Sequence, residues 1–144
     1  MPNATFKVTA QSENPTKTKV KARNFELVID EPENLGGTNE GANPVEFVTA
    51  ALAGCLNVAG NMIAKEMGFE IRDLSFEIEG DLDPAAFMGK TDKVRPGYKE
   101  IRVNVKMDTD ADAETLKKWL QKVESRCPVS DNLANETPVK FNLQ

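Results

Sequence analysis

Two cysteines carry most of the chemistry open to this chain, because its 144 residues include no histidine. Ser-His-Asp and Cys-His catalysis are therefore excluded, as is any zinc, iron or haem site with a histidine ligand. Cys55 lies in an alanine-rich apolar stretch, where a free cysteine usually packs as a small hydrophobe. Cys127 precedes Pro128, and this pair predicts a helix N-cap at which a sulfur faces free N–H groups, an environment typical of reactive thiols. From the residues alone, Cys127 fits a reactive thiol and an ordinary helix junction equally well, and Cys55 fits core packing better.

Alternating apolar residues predict three antiparallel strands in the first third of the chain, at residues 4–10, 18–23 and 25–30. Residues 36–41, which include three glycines, predict a flexible loop. Asn43 and Pro44 then predict the N-cap and first residue of a helix that runs to Met67 and stops at Gly68. Cys55 is expected near the middle of this helix.

The second half predicts a strand at residues 74–78, a short helical turn opened by Asp83-Pro84 and closed by Gly89, and a strand at residues 98–107. A second helix is expected to start at Asp108-Thr109 and to end at the Cys127 junction, followed by a last strand at residues 139–143. The apolar stripe of this helix is Leu116, Trp119, Leu120, Val123 and Cys127. The class is α+β, in a single domain over residues 1–144.

Composition and charge restrict the partners. The net charge of −5 argues against a nucleic-acid surface, which needs clustered positive charge. The N-terminus has no signal-peptide pattern, and the apolar stretch at residues 47–64 is short and contains polar residues, so we expect a cytoplasmic protein with a buried core helix and no membrane association. That helix is apolar on nearly all sides, and a homodimer is a natural way to cover it.

Two segments resemble the OsmC/Ohr family, the osmotically inducible and organic hydroperoxide resistance proteins. The first is residues 36–44 (GGTNEGANP) with the alanine-rich helix that reaches Cys55, and the second is residues 127–130 (CPVS). The two segments stand in the family's order, with their cysteines 72 positions apart. The order of strands and helices also matches, so the resemblance covers essentially the whole chain.

The resemblance implies an OsmC-like fold, with antiparallel strands and a central buried helix, in an intertwined homodimer with active sites at the subunit interface. It implies that Cys55 attacks an organic (alkyl or lipid) hydroperoxide and becomes a sulfenic acid, and that Cys127 resolves it to a disulfide. An external dithiol, in this family usually a lipoylated protein, would restore both thiols. The resemblance calls for no cofactor and no metal.

Two further family residues do not transfer directly. The family's thiolate-supporting Arg lies in the turn between the first two strands, but residues 11–17 contain none, so Arg23 and Arg95 are the candidates, with Lys17 as another positive charge. The family's Glu follows Asn-Pro, where this chain has Val45. Glu46 is then either a catalytic residue that acts across the dimer or a complement to the helix N-terminus. These departures indicate an OsmC-like subgroup rather than a standard Ohr peroxidase.

Two other functions stay open at this stage. One is a ligand-binding or structural dimer of the same fold without peroxide chemistry, which the missing Arg and displaced Glu favour. The other is a dithiol–disulfide exchange protein that uses Cys55 and Cys127 on disulfide substrates. The reaction of the thiols with peroxides and with disulfides separates these functions.

Overall fold

The computed structural model describes residues 1–144, which form two compact units, residues 1–50 and residues 51–144. The first unit contains an antiparallel sheet of three strands in sequence order: β1 (Thr9–Ser12), β2 (Thr18–Ala22) and β3 (Phe25–Ile29). The three predicted strands are therefore present. The predicted start of β1 at residue 4 is wrong, because β2 ends at Ala22, one residue beyond the partner of Thr9, and leaves nothing to pair with the residues before it.

The loop after β3 is held by a buried carboxylate. Asp30 is completely buried and accepts hydrogen bonds from the Thr16 hydroxyl at 2.8 Å, the Glu31 N–H at 2.7 Å, the Glu40 N–H at 3.2 Å and the Thr38 hydroxyl. Burial alone would raise the pKa of Asp30, but these hydrogen bonds together keep it well below its usual value. The loop predicted at residues 36–41 is present, and Asp30 fixes its path.

Helix α1 (Pro44–Met67) begins and ends where the sequence predicts. Asn43 caps its start, and Gly68 stops it in the left-handed region at φ 79°, which glycine adopts without strain. By length and hydropathy alone α1 could cross a membrane, with a third of its most apolar window buried inside the chain. Its buried face consists of Leu52, Leu56, Ala59, Gly60, Ile63 and Ala64. The opposite face carries Val58 and Met62, which are 67% and 45% exposed.

A two-stranded antiparallel ribbon, β4 (Asp73–Leu82) and β5 (Tyr98–Asp108), lies in the second unit. Its side chains alternate as predicted, with Leu74, Phe76 and Ile78 directed to the hydrophobic core. The opposite face is charged, and Arg102 there bonds to Asp81 and Glu100.

Helix α2 (Ala113–Arg126) starts later than predicted. The expected start at Asp108-Thr109 is wrong, because β5 continues through Asp108, whose carboxylate pairs with Arg72 at 2.7 Å, and the Thr109 hydroxyl donates to the Glu70 carbonyl at 2.6 Å. Asp112 is the N-cap instead. A short helix, α3 (Pro128–Ala134), follows after one residue.

The core of the second unit lies between α1, α2 and the inner face of the ribbon. Trp119, only 3% exposed, donates its indole N–H to the Gly60 carbonyl of α1 at 2.8 Å. Gly60 permits this approach, since a Cβ there would lie 2.8 Å from the Trp119 ring. This contact between α1 and α2 therefore lies five residues from Cys55 on α1.

The strand predicted at residues 139–143 is wrong for the single chain. Residues 136–144 form no regular structure, and Val139, Phe141 and Leu143 are 73%, 91% and 103% exposed. The alternating pattern that suggested a strand is real, but no strand of the chain pairs with this segment. A strand needs a neighbour to satisfy its backbone groups.

Candidate active site

The structure brings together the two cysteines that the sequence singled out. Cys55, on α1, and Cys127, between α2 and α3, are both free, and their sulfurs are 2.8 Å apart, with the Cys127 thiol donating to Cys55. Cys127 is 1% exposed, whereas Cys55 is only partly buried. The two thiols are therefore in contact, and Cys55 is the one that solvent reaches more easily.

The first turn of α3 supplies a backbone N–H to each sulfur. Cys127 has the extended conformation of an N-cap, Pro128 follows at the first helical position, and the Ser130 N–H donates to the Cys127 sulfur at 3.4 Å. The predicted cap is therefore confirmed. The Val129 N–H is directed to the Cys55 sulfur. The Cys-Pro sequence thus defines the helix start whose backbone N–H groups are directed to both sulfurs.

The surroundings of Cys55 favour the neutral thiol in the single chain. Burial raises the pKa of Cys55, and the neighbouring Cys127 sulfur raises it further, while the Val129 N–H acts in the opposite direction. No lysine or arginine is among the groups that shift it. Among these groups, the Val129 N–H is the one that favours the thiolate.

The arginine next to Cys127 in sequence pairs with a carboxylate on α1. Arg126 makes two hydrogen bonds to the Glu66 carboxylate of α1, at 2.6 and 3.0 Å. This ion pair joins the end of α2 to α1, and with the Trp119–Gly60 contact it holds the two cysteine-bearing elements together. Sequence reasoning missed both contacts, since partners 59 and 60 positions apart leave no local pattern.

The other predicted site residues have structural contacts of their own. The Glu46 carboxylate accepts the Asn43 N–H at 2.8 Å and the Asn43 side chain accepts the Glu46 N–H at 2.9 Å, which is a capping box at the start of α1. Arg23 lies in the β2–β3 turn at φ 57°, with its guanidinium 5.0 Å from the centre of the Phe25 ring. A catalytic role for Glu46 or Arg23 stays a prediction.

The remaining candidate cations differ in their contacts. Lys17 pairs with Glu13 and Glu40, each at 3.0 Å. Arg95 is exposed in the loop between β4 and β5. The structure contains no group of three or more His, Cys, Asp and Glu residues placed to hold a metal ion.

The chain is similar in sequence to known proteins over most of its length. A sequence model described as OsmC-like protein matches residues 37–142, which include both cysteines. Peroxiredoxin OsmC of Escherichia coli (strain K12) is 28% identical over 108 residues, which cover 73% of this chain and 69% of that protein.

Solved structures with the same fold have low sequence identity to this chain. The OsmC-like protein of Mycoplasma pneumoniae is similar with a TM-score of 0.81 at 19% identity, covering 92% of this chain and 89% of that one. An organic hydroperoxide resistance protein OsmC from Legionella pneumophila has a TM-score of 0.69 at 20% identity, covering 92% of this chain and 91% of that one. These structures agree with the predicted α+β, OsmC-like fold. The chain therefore belongs to the OsmC-like protein family.

Proposed function

We propose that this protein is a thiol peroxidase that reduces organic hydroperoxides, with Cys55 as the peroxidatic and Cys127 as the resolving cysteine. The observation that carries the proposal is the 2.8 Å contact between two free thiols of unequal exposure. A peroxidatic sulfur must be accessible to the hydroperoxide, whereas a resolving sulfur needs to reach only the peroxidatic sulfur. Cys55, partly exposed, and Cys127, buried, suit these two requirements.

In the first step the Cys55 thiolate attacks the terminal oxygen of a hydroperoxide ROOH. An S–O bond forms and the O–O bond breaks, so that sulfur is oxidised to a sulfenic acid and the peroxide is reduced. The departing alkoxide takes a proton and leaves as the alcohol. The Val129 N–H, directed to this sulfur, favours the thiolate.

In the second step Cys127 attacks the oxidised sulfur of Cys55. The S–S bond forms, the S–O bond breaks, and the hydroxyl leaves with a proton as water. The short separation of the sulfurs makes this step an intramolecular reaction between groups already in contact. An external dithiol then returns two electrons and two protons by disulfide exchange. A lipoylated protein is our proposed source of that dithiol.

The α1 surface beside Cys55 supports an organic substrate. Val58 and Met62 follow Cys55 by three and seven positions, which places them on the same stripe of the helix, and both are exposed. An alkyl or lipid chain would bury apolar surface on this stripe, whereas hydrogen peroxide has none to bury. We therefore propose a preference for organic hydroperoxides over hydrogen peroxide.

A cytoplasmic homodimer completes the proposal. Phe6 and Phe25 of the first unit, Val58 of α1 and Phe141 near the C-terminus are more than half exposed in the single chain. Large exposed apolar side chains in this number are typical of protein interfaces. The names of the Escherichia coli and Legionella relatives, a peroxiredoxin and an organic hydroperoxide resistance protein, support the same function.

Peroxide consumption by three forms of the protein tests this function. With an excess dithiol, wild type should consume cumene hydroperoxide faster than hydrogen peroxide, and Cys55→Ser should not consume it. Without a dithiol, Cys127→Ser should react once and stop as the sulfenic acid. Ser130→Ala is the matched control, because only its backbone N–H contacts a sulfur. Consumption by Cys55→Ser at the wild-type rate would contradict the mechanism.

Disulfide exchange is the second candidate, because it uses the same pair of free thiols in contact. An exchange protein would react with a disulfide substrate and leave cumene hydroperoxide unreduced. Measuring both reactions on the same preparation distinguishes the two functions.

A further inference from the structure

The outer face of α2 is basic, although the chain as a whole is acidic. The helix carries two carboxylates and four cations, whereas the net charge of the chain is −5. Arg126 pairs with Glu66, and the other three cations, Lys117, Lys118 and Lys122, are exposed. Positive charge is therefore concentrated on one solvent-facing surface of the unit that contains both cysteines.

An open groove lies beside this basic face. Glu66, near the end of α1, lines one side of the groove, and Lys118, Lys122 and Ser125 of α2 line the other. From Lys118 to Ser125 the helix rises about 10 Å. Ser125 lies two residues before Cys127. The groove therefore ends next to the junction at which the two sulfurs meet.

The two lysines of the groove have little negative charge to balance them. Lys118 lies 3.6 Å from Glu114, in an exposed pair that water screens. Lys122 forms no ion pair, and the Glu66 carboxylate near it already accepts two hydrogen bonds from Arg126. Lysines four positions apart on one helix face repel each other. An anionic partner in the groove would remove this repulsion.

The proposed reaction cycle requires an electron donor at the same end of α2. Cys127 is 1% exposed, so a donor can attack a Cys55–Cys127 disulfide only at Cys55, which is partly buried. The donor must therefore be held beside the junction while its thiolate reaches inward. An open groove fits the surface of a protein, because sites for small molecules enclose most of their ligand. The net charge of −5 disfavours a nucleic acid as the anion.

We propose that this groove docks the electron donor, an acidic protein that carries a dithiol on a flexible arm. The inference rests on the proposed function, which supplies the disulfide that the donor reduces. Lys118 and Lys122 pair with carboxylates of the donor, and the arm extends past the end of α2 to Cys55. Charge complementarity defines this partner, because an acidic protein is repelled by the chain as a whole and attracted at the groove.

The exchange that follows transfers two electrons. A donor thiolate attacks the Cys55 sulfur and forms a mixed disulfide, while the Cys55–Cys127 bond breaks and Cys127 leaves as a thiolate that takes a proton. The second donor thiolate then attacks the donor sulfur of the mixed disulfide and releases Cys55, which takes the other proton. The donor leaves as a disulfide, its two thiols having supplied both electrons and both protons.

Reduction of the disulfide by charged and uncharged donors tests the groove. The disulfide is made with diamide, so that no peroxide is involved, and the excess diamide is removed. The probes are a peptide that carries one dihydrolipoyl group among glutamates, the same peptide with glutamines in place of the glutamates, and free dihydrolipoamide. New protein thiols are trapped with N-ethylmaleimide at successive times and counted by mass, at low salt and at about 0.5 M salt.

At low salt we expect the glutamate peptide to reduce the wild-type disulfide about tenfold faster than the glutamine peptide. The difference should fall below about twofold in Lys118→Glu/Lys122→Glu, and in wild type at the higher salt concentration. Lys7→Glu/Lys21→Glu makes the same change in net charge at exposed lysines of the first unit, and this control should keep a difference of at least about fivefold. Free dihydrolipoamide, which is uncharged, should reduce all three forms at rates within about twofold of one another.

Three results would overturn the inference: equal rates for the two peptides on wild type, a difference that persists in Lys118→Glu/Lys122→Glu, and loss of the difference in Lys7→Glu/Lys21→Glu. A disulfide that diamide fails to form would overturn it together with the resolving role of Cys127. The expected charge dependence in a protein that leaves cumene hydroperoxide intact would uphold the groove and contradict the peroxidase. Consumption of cumene hydroperoxide without the charge dependence would do the reverse.

Discussion

Each of the two units of the chain is stabilised internally in a different way. In the second unit, eight buried apolar residues from α1, α2 and the Cys127 junction form a continuous core. In the first unit, Val20 and Asp30 are the buried residues, and Phe25 and Leu27 of the sheet are exposed. The second unit is therefore stabilised by a hydrophobic core of its own. The first unit depends on hydrogen bonds and on contacts that would cover the exposed apolar side chains of its sheet.

The largest expected effect comes from removing the central side chain of the second unit. Trp119→Ala deletes a 3% exposed indole and its hydrogen bond to Gly60, so unfolding should become easier by about 3–5 kcal/mol. Leu120→Ala, at the next residue and 40% exposed, is the control and should cost less than about 1.5 kcal/mol. Urea unfolding of both variants measures the difference. Equal losses would contradict the account of this core.

A smaller effect is expected at the contact between Gly60 of α1 and Trp119 of α2. Gly60→Ala places a Cβ 2.8 Å from the Trp119 ring and should destabilise the protein by about 1–3 kcal/mol. Trp119→Phe removes the ring atoms involved, so the same substitution should cost much less in that background. A double-mutant cycle by urea unfolding tests this coupling. If the losses of unfolding free energy from the two substitutions are additive, contact between the new Cβ and the Trp119 ring is not the cause of the destabilisation.

Breaking the Asp30 network should affect the first unit alone. Hydrogen bonds keep the native pKa of Asp30 below the value of 3.8 for an ordinary aspartate, so its contribution to stability is present above about pH 4. That contribution is lost as the pH falls toward the native pKa. In Asp30→Asn this part of the acid dependence should disappear, and amide exchange should accelerate in residues 30–41 while α2 keeps its protection.

Thr16→Val serves as the control for that experiment. It removes one of the donors to Asp30 and keeps the carboxylate, so it should give a weaker version of the same change. Acceleration of exchange in α2 to the same extent as in residues 30–41 would contradict separate stabilisation of the two units.

The smallest effect is expected for the ion pair that joins α2 to α1. Glu66 and Arg126 are both nearly half exposed, and water screens such pairs. Arg126 lowers the pKa of Glu66, so the pair stabilises the protein above the ordinary pKa of a glutamate, and this stabilisation is lost at lower pH. Glu66→Gln should lower the melting temperature slightly at pH 7, and the difference from wild type should shrink as the pH falls toward 3. A large loss that persists at pH 3 would mean that Glu66 acts by packing.

The parts of the fold that sequence analysis predicted well depend on local signals. Asn43-Pro44 and Gly68 define the two ends of α1, because capping and the left-handed stop each involve residues within one turn. The Cys127 cap was predictable for the same reason, since Pro128 fixes the first helical residue.

The features that were missed depend on distant partners. Residues 4–8 and 139–143 alternate as a strand should, but no strand pairs with either segment in the single chain. Asp30 lies at the end of a strand, and no local sequence pattern indicates that it is buried and bonded to Thr16 and Thr38. The Cys55–Cys127 pair was expected from the family resemblance alone, because two residues 72 positions apart carry no local signal of contact.

The mass and free-thiol count of the reduced protein, after one equivalent of an alkyl hydroperoxide, test whether Cys55 and Cys127 act together on a peroxide. We expect both thiols to disappear within seconds, with a mass loss of about 2 Da and a Cys55–Cys127 disulfide in the peptide digest. Thiols that stay reduced for many minutes, in a protein that is folded and has both cysteines free, would contradict the account.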